Sequence, residues 1–347
     1  MKVGVLAGSG VALVDRPVPT LGDGEVLVDL AACGICGTDL EKLRGNYQSA
    51  GILGHEPVGR VAAVGKGVET IAVGDRVFVH HHVPCYGCPV CGRGEYTYCP
   101  SYSKSNIDPG GFAEHFRVPE ANVRRGAVLR LGPSVSWEVG TLLEPAGCAL
   151  TALRKVGFHA ADSVFVIGLG PVGLLYAALA KCLGAWWVGG TDLSARRREA
   201  AGAFGVDATF AADQPDGLEA AVREATGGLG VDLAVAAVGA PTAVRLAARL
   251  PRRGGTLNLF GLPERGSRLD HDLQDLYLRG IRVFPTYATT ERDIADVHQL
   301  VTTGRVALGG MVTGRYPLDR IADAFAAAAR TDAELKVVVT GPGFDSR

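Results

Sequence analysis

Two rhythms of apolar and polar residues run along the chain. Up to about residue 150, short β-like runs such as EVLVDLAACGIC, VGRVAAVGKGVETIAVGDRVFV and GGFAEHFRVP are punctuated by glycine and proline. That pattern predicts an irregular β-rich domain. From Asp162 onward, short apolar runs alternate with alanine-rich segments. VFVIG, WWVGGTD, ATFAA, LAVAAVG, TLNLFG and IRVFPT read as strands, and PVGLLYAALAKCLG, SARRREAAGAFG, GLEAAVREATGG and PTAVRLAARL as the helices between them. Six strands in two βαβαβ halves predict an α/β fold with a doubly wound parallel sheet that binds a dinucleotide. After Pro285 two more helical stretches and a last strand, LKVVVTG, are expected to return to the first domain. The expected division is 1–150, 151–286 and 287–347.

Length and charge narrow the field. At 347 residues the chain exceeds what one core usually serves, so two domains are expected. Its 35 basic and 36 acidic residues give no electrostatic case for nucleic acid or an anionic membrane as partner, and a small ligand fits better. The start, MKVGVLAGSGVALVDRP, lacks the apolar run of a signal peptide, and no apolar segment is long enough for a bilayer. A cytoplasmic protein with its eight cysteines reduced is the expectation.

Four of those cysteines, Cys85, Cys88, Cys91 and Cys99, crowd the run CYGCPVCGRGEYTYC. Four soft thiolates on one loop match the donor set of a closed tetrahedral zinc site, which holds a loop and does no chemistry. Two disulfides are the alternative, disfavoured in a long chain without a secretory signal. A DNA-reading zinc module would need a basic stripe, and none flanks the cysteines. Cys33, Cys148 and Cys182 show no partner pattern and read as core thiols.

The run VFVIGLGPVGLLYAALA sets Gly168, Gly170 and Gly173 in GxGxxG spacing, after a strand and opening a helix. Glycine there permits a tight turn and lets the backbone approach a pyrophosphate at the helix N-terminus. Pro171 and Val172 complete the loop, and Val238, closing LAVAAVG, is assigned to the same cofactor set. Asp192 ends the next strand, where a carboxylate can accept from the adenosine ribose hydroxyls and repel a 2′-phosphate, favouring NAD over NADP. Its other reading is a helix N-cap. Arg196 and Arg197 pull towards NADP, since either can pair with that phosphate; a solvated helix face is their other reading.

Cys36 in CGICGTD, His55 and Glu56 in GHEPVG, and Glu144 in LLEPAG offer a thiolate, an imidazole and carboxylates for a zinc with an open position. Spacing alone does not assemble them. Together with the cysteine lobe, GGFAEHFRVP and the GLGPVG loop, they resemble in the same order the zinc-dependent medium-chain dehydrogenase/reductase family, and in particular its sorbitol and threonine dehydrogenase branch. That resemblance implies a GroES-like catalytic domain split around a Rossmann domain, with the active site in the cleft. It implies Cys36 and His55 as catalytic zinc ligands, Glu56 as the adjacent glutamate that can approach the metal, and Glu144 at the position where polyol enzymes carry a glutamate. Thr38 matches the residue that accepts the alcohol's proton. The chain departs from the family at Glu41, where a histidine often passes that proton to solvent; an exposed helix glutamate is the other reading of this residue.

The expected activity is reversible oxidation of a secondary alcohol, a polyol, sugar, cyclitol or amino alcohol, with zinc and NAD. Lys104, Asn106 and Asp108 are candidates for polar contacts to such a substrate, or for caps at the end of the lobe. An NADP-dependent aldehyde or ketone reductase of the same fold and a non-catalytic zinc-lobed binding or regulatory protein are the alternatives. His80, His81 and His82 are expected on a strand, with His81 facing away from the other two and no shared ion. A homotetramer, ahead of a dimer, is expected through the strand IRVFPT, which would otherwise leave an open sheet edge.

Overall fold

The computed structural model describes residues 1–47, 53–212, 217–330 and 332–344. The chain divides into two compact units. One comprises Met1–Gly147, Thr289–Gly304 and Leu308–Arg347, and the other Cys148–Ala288 with Arg305–Ala307.

Unbroken apolar runs dictate the second unit. Its six parallel strands lie in the spatial order Ala208–Ala211, Trp187–Asp192, Ser163–Ile167, Val231–Ala236, Pro251–Leu259 and Arg282–Pro285, or 3-2-1-4-5-6 along the chain. Every residue of Ser163–Ile167 is buried, as a strand covered on both faces requires. The outer strand Arg282–Pro285 is largely exposed. Helices Pro171–Cys182, Ala195–Ala200, Leu218–Ala225, Pro241–Arg249 and Leu273–Arg279 follow the first five strands in turn. Two of them open on proline, whose missing N–H costs nothing at a first helical turn. The reversal of strand order beside Ser163–Ile167 is where such sheets take their ligands, and the glycine loop follows that strand.

In the first unit, a mixed seven-stranded sheet runs Val312–Pro317, Lys336–Thr340, Val26–Gly34, Glu56–Val64, Arg76–Val79 and Val128–Arg130, with His115–Val118 also paired to Val26–Gly34. Val26, Val28 and Leu30 are fully buried along one strand and cluster with Phe112, Phe116 and Phe325. Burial of side chains this size contributes roughly 1.5–3 kcal/mol each. The strand Val312–Pro317 was not expected from its sequence, VTGRYP; its parallel ladder with Lys336–Thr340 makes it one.

Candidate metal and dinucleotide sites

The cysteine lobe is a chain of short 3-10 turns, Cys91–Arg93, Tyr96–Tyr98 and Tyr102–Lys104, with little core of its own. The Sγ atoms of Cys85, Cys88, Cys91 and Cys99 all lie within 4.8 Å of one another. Cys99 Sγ is 3.5 Å from Cys85 Sγ and 3.9 Å from Cys88 Sγ. A tetrahedral zinc with Zn–S near ~2.3 Å would set its sulfurs about 3.8 Å apart, so the donor set fits. Backbone N–H groups of Gly87 and Ser101 donate to Cys85 Sγ and Cys99 Sγ at 3.4 Å, which favours the thiolate form. The Gly87 contact leads the lowering of the Cys85 thiol to about 6.

A second group converges in the same unit, with donor atoms of Cys36, His55 and Glu56 within 4.8 Å of one another. Cys36 caps the helix Gly37–Leu43, and His55 and Glu56 sit where the strand Glu56–Val64 begins. Thr38 Oγ1 lies 3.6 Å from Cys36 Sγ. Glu144, 5 % exposed in the first turn of the helix Leu143–Lys155, is not among the three that converge.

Two residues around this group have no place in the sequence reading. Asp39 is fully buried; it accepts from the Cys36 and Gly54 N–H groups, and its Oδ1 is 3.5 Å from His55 Nδ1. Burial works against charge on His55, but Asp39 and Cys36 outweigh it and raise its pKa well above the ordinary imidazole range. A signal for Asp39 was present, a carboxylate one helical turn after Cys36 in CGICGTD. Lys336 is the other. Its ammonium lies 2.5 Å from Glu56 Oε2, and the two side chains are 2 % and 0 % exposed. Gly34 makes room for that pair, since a Cβ there would lie 1.8 Å from Glu56 Oε2 and 3.0 Å from Lys336 Cε. Glu56, which the resemblance implies can approach the metal, thus pairs with Lys336 while its carboxylate stays within 4.8 Å of the Cys36 and His55 donor atoms.

Three further sets of residues take definite places. Glu41 is not an idle surface carboxylate: it accepts from Arg44 at 2.6 Å and from Asn46 at 2.7 Å. The histidines are not on a strand, because that strand stops at Val79 and the chain bends at His81. Asn122 pins the bend by donating to the carbonyls of His80 and His81, both at 3.1 Å. His81 therefore does not face away; its ring centroid is 4.1 Å from that of His82 and 5.1 Å from those of His80 and His55. Burial leads the fall of the His80 and His82 pKa values to about 3 and about 4, so these rings are neutral near pH 7. Lys104 and Asp108 stand at the surface, Asp108 paired with Arg117 at 3.2 Å, while Asn106 keeps a buried Oδ1 without a hydrogen-bond partner.

In the second unit the glycine loop has the geometry its sequence predicts. Gly168 has φ +96, and a Cβ on Gly173 would lie 1.9 Å from the Gly168 carbonyl oxygen, so neither position tolerates a side chain. Gly170 caps the helix that Pro171 and Val172 open. Val238 packs at the loop, its Cγ1 2.7 Å from where a Gly168 Cβ would be. Asp192 accepts from the Leu169 and Ser194 N–H groups, each at 2.8 Å. It is not the cap of the following helix, a role taken by Ser194, which accepts from Arg197 N–H at 3.4 Å. Nor is Arg197 on a solvated face: its side chain is 13 % exposed, 3.7 Å from Asp192 Oδ2 and beside Gly170. The close-approach glycines and a carboxylate anchored at the strand end fit a dinucleotide.

Residues 22–128 match the family model of the alcohol dehydrogenase GroES-like domain, and residues 171–303 that of the zinc-binding dehydrogenases. The chain is 35 % identical to the L-threonine 3-dehydrogenase of Symbiobacterium thermophilum over 91 % of its own length and 90 % of the relative's. It is 33 % identical to the sorbitol dehydrogenase of Bacillus subtilis over 93 % of its length and 92 % of the relative's. Among solved structures, the alcohol dehydrogenase of Thermus sp. ATN1 superposes with a TM-score of 0.86 at 28 % identity, covering 98 % of this chain and 100 % of that one. Other solved neighbours hold NADP or NADH. The chain belongs to the zinc-dependent medium-chain dehydrogenase family, oxidoreductases that use zinc and NAD(P). No helix among the described residues is long and apolar enough to cross a membrane.

Proposed function

We propose that this enzyme interconverts a secondary alcohol flanked by hydroxyl or amino groups (a polyol, sugar, cyclitol or amino alcohol) and its ketone, with NAD as the preferred acceptor. The observation that carries the reading is the convergence of Cys36, His55 and Glu56 beside the Thr38 hydroxyl. When bound, zinc would supply the Lewis acid for the alcohol oxygen and NAD the site that takes up hydride from the carbinol carbon. Cys36 and His55 hold the metal, and Asp39 orients His55 through Nδ1. Glu144 completes the set, making that side harder and more polar than a third thiolate would. Thr38 receives the substrate's proton. Beyond it the proton leaves through Glu41, whose carboxylate accepts from Arg44 and Asn46, or through water.

Asp192 favours NAD over NADP, since a 2′-phosphate against this carboxylate meets like charge. One observation favours the NADP-dependent alternative: the largely sheltered Arg197 guanidinium beside Gly170 could take up that phosphate. Turnover of a panel of polyols, sugars, cyclitols, amino alcohols and simple aliphatic alcohols with each cofactor tests both points. Higher efficiency with a long aliphatic alcohol than with every polar substrate would overturn the substrate class.

A homo-oligomer, tetramer ahead of dimer, is part of the proposal. The outer strand Arg282–Pro285 leaves a ladder edge unpaired within one chain, and the preceding helix exposes Leu273, Tyr277 and Leu278. Light scattering that finds only monomer would refute it. Eight free cysteines suit the cytoplasmic location also proposed.

A further inference from the structure

The side chains of the cysteine lobe reach beyond the lobe, to the residues where the chain re-enters the first unit. Tyr102 donates its hydroxyl to the Thr289 carbonyl at 2.5 Å, and Tyr86, between Cys85 and Cys88, donates to the Glu291 carboxylate. The Arg292 guanidinium lies 4.2 Å from the Tyr86 ring centroid and 5.7 Å from that of Tyr96, and the two rings are 5.1 Å apart. Tyr86 has φ +58, a conformation that a residue with a side chain keeps only where its surroundings enforce it.

What the lobe holds is the start of a helix. Glu291–Thr302 begins there, capped by Thr290, whose hydroxyl accepts from Asp293 N–H at 3.4 Å. This helix start meets a second one. A Cβ on Gly147 would lie 2.7 Å from Ile294 Cγ1 and 3.0 Å from Thr289 Oγ1, so the backbone of Leu143–Lys155 comes as close as glycine allows. Gly147 stands one turn after Glu144, on the same side of that helix.

We propose that the cysteine lobe is a clamp on Thr289–Ile294, and that Tyr86, Tyr102 and Arg292 are positioning residues that set the place of Glu144 through Gly147. The lobe has little apolar core, so its shape depends on the metal its cysteines bind, and so does the placement of the tyrosines. Losing metal from the lobe then loosens the Glu144 end of the catalytic site with no metal lost there. This rests on the reading that the four converging thiols of the lobe hold zinc.

Hydrogen exchange with mass spectrometry on the full-length, zinc-loaded enzyme tests the clamp, with metal content measured on the same samples. Tyr86→Phe removes one hydroxyl and leaves all four cysteines, so it should retain wild-type metal content. It should nevertheless speed exchange by about fivefold or more in peptides covering 289–297 and 143–150, with 163–167 unchanged. Arg292→Ala should do the same and Arg292→Lys should restore protection, because a cation remains over the ring. With cobalt in the catalytic site alone, Tyr86→Phe should also shift the visible spectrum, which local loosening of the lobe would not do. Faster exchange confined to 85–104, or an unchanged 289–297 peptide in Tyr86→Phe, overturns the clamp. Wild-type enzyme with no metal in the lobe overturns the zinc reading on which it rests, whatever the exchange pattern.

Discussion

Lys336 places its ammonium 2.5 Å from the Glu56 carboxylate, with both side chains almost sealed from solvent. Burial disfavours the charge on Lys336, yet Glu56 and Cys36 outweigh it and raise its pKa above the ordinary value. Removing one member of such a pair leaves an uncompensated buried charge, at a cost of about 3–5 kcal/mol. Lys336→Met should therefore destabilise the metal-free enzyme by about that amount. Zinc offers the stranded carboxylate another cation, so the loss should be smaller in the zinc-loaded enzyme. Thermal denaturation of both forms checks this; an equal loss in the two would mean that Glu56 does not respond to the metal.

The two metal groups should fail in different ways. Cys88→Ser opens a loop that has little else to hold it, and should lower the melting temperature or the soluble yield. Cys36→Ser should leave a folded chain with turnover abolished, because the metal that supplies the Lewis acid loses a ligand. Metal analysis should give two zinc ions per wild-type chain. A fully active Cys36→Ser enzyme, or an active wild type free of metal, would sink the assignment.

Asp192 accepts backbone N–H groups from Leu169 and Ser194, and under the proposed function it faces the ribose as well. Asp192→Ala should raise the KM for NAD about tenfold, equivalent to ~1.4 kcal/mol, and change the KM for NADP less. Arg197→Ala should then leave NAD kinetics near those of the wild type. A wild type that prefers NADP, with the preference lost in Arg197→Ala, would reverse the roles given to the two residues.

One carboxylate of the second unit should govern part of the acid stability. Burial tends to raise the Asp232 pKa, but the Ser163 N–H and hydroxyl, both at 2.7 Å, and Arg252 at 2.6 Å outweigh it and hold the pKa below the ordinary value. A depressed folded pKa gives stability that is present above the unfolded value of about 4 and is lost as pH falls through the folded one. Asp232→Asn should therefore lower the melting temperature at neutral pH, with the difference from wild type shrinking towards about pH 3. A difference that stays constant across that range would show that the carboxylate's charge is not what matters.

The sequence made the parallel sheet legible because each buried strand is a short, unbroken apolar run and each connection carries helical periodicity. The glycine loop was legible for a similar reason: its turn, its close approach and its helix start are all consecutive residues. Val312–Pro317 was not, since Gly314, Arg315 and Pro317 argue against a strand and only the ladder to Lys336–Thr340 supplies the reason for one. The bend at His81 depends on Asn122, 41 residues further on, so alternation along a strand was the wrong guide. Asp39 was within a motif already noticed. Lys336 was the least accessible, because 280 residues separate it from Glu56; its one local mark is a lone lysine heading an apolar strand.

The strand that carries Lys336 also bears on the order in which this protein can be built. Lys336–Thr340 lies between Val312–Pro317 and Val26–Gly34, inside the sheet of the first unit, whereas nearly all of the second unit is the continuous stretch Cys148–Ala288. On the ribosome, residues 148–288 emerge together and can close their own sheet while the first unit still lacks two of its strands. Until residue 336 emerges, Glu56 has no lysine and Val26–Gly34 has one edge only partly paired. The half of the enzyme that begins first is thus the half that finishes last, and the group of Cys36, His55 and Glu56 is among the last to find its native surroundings.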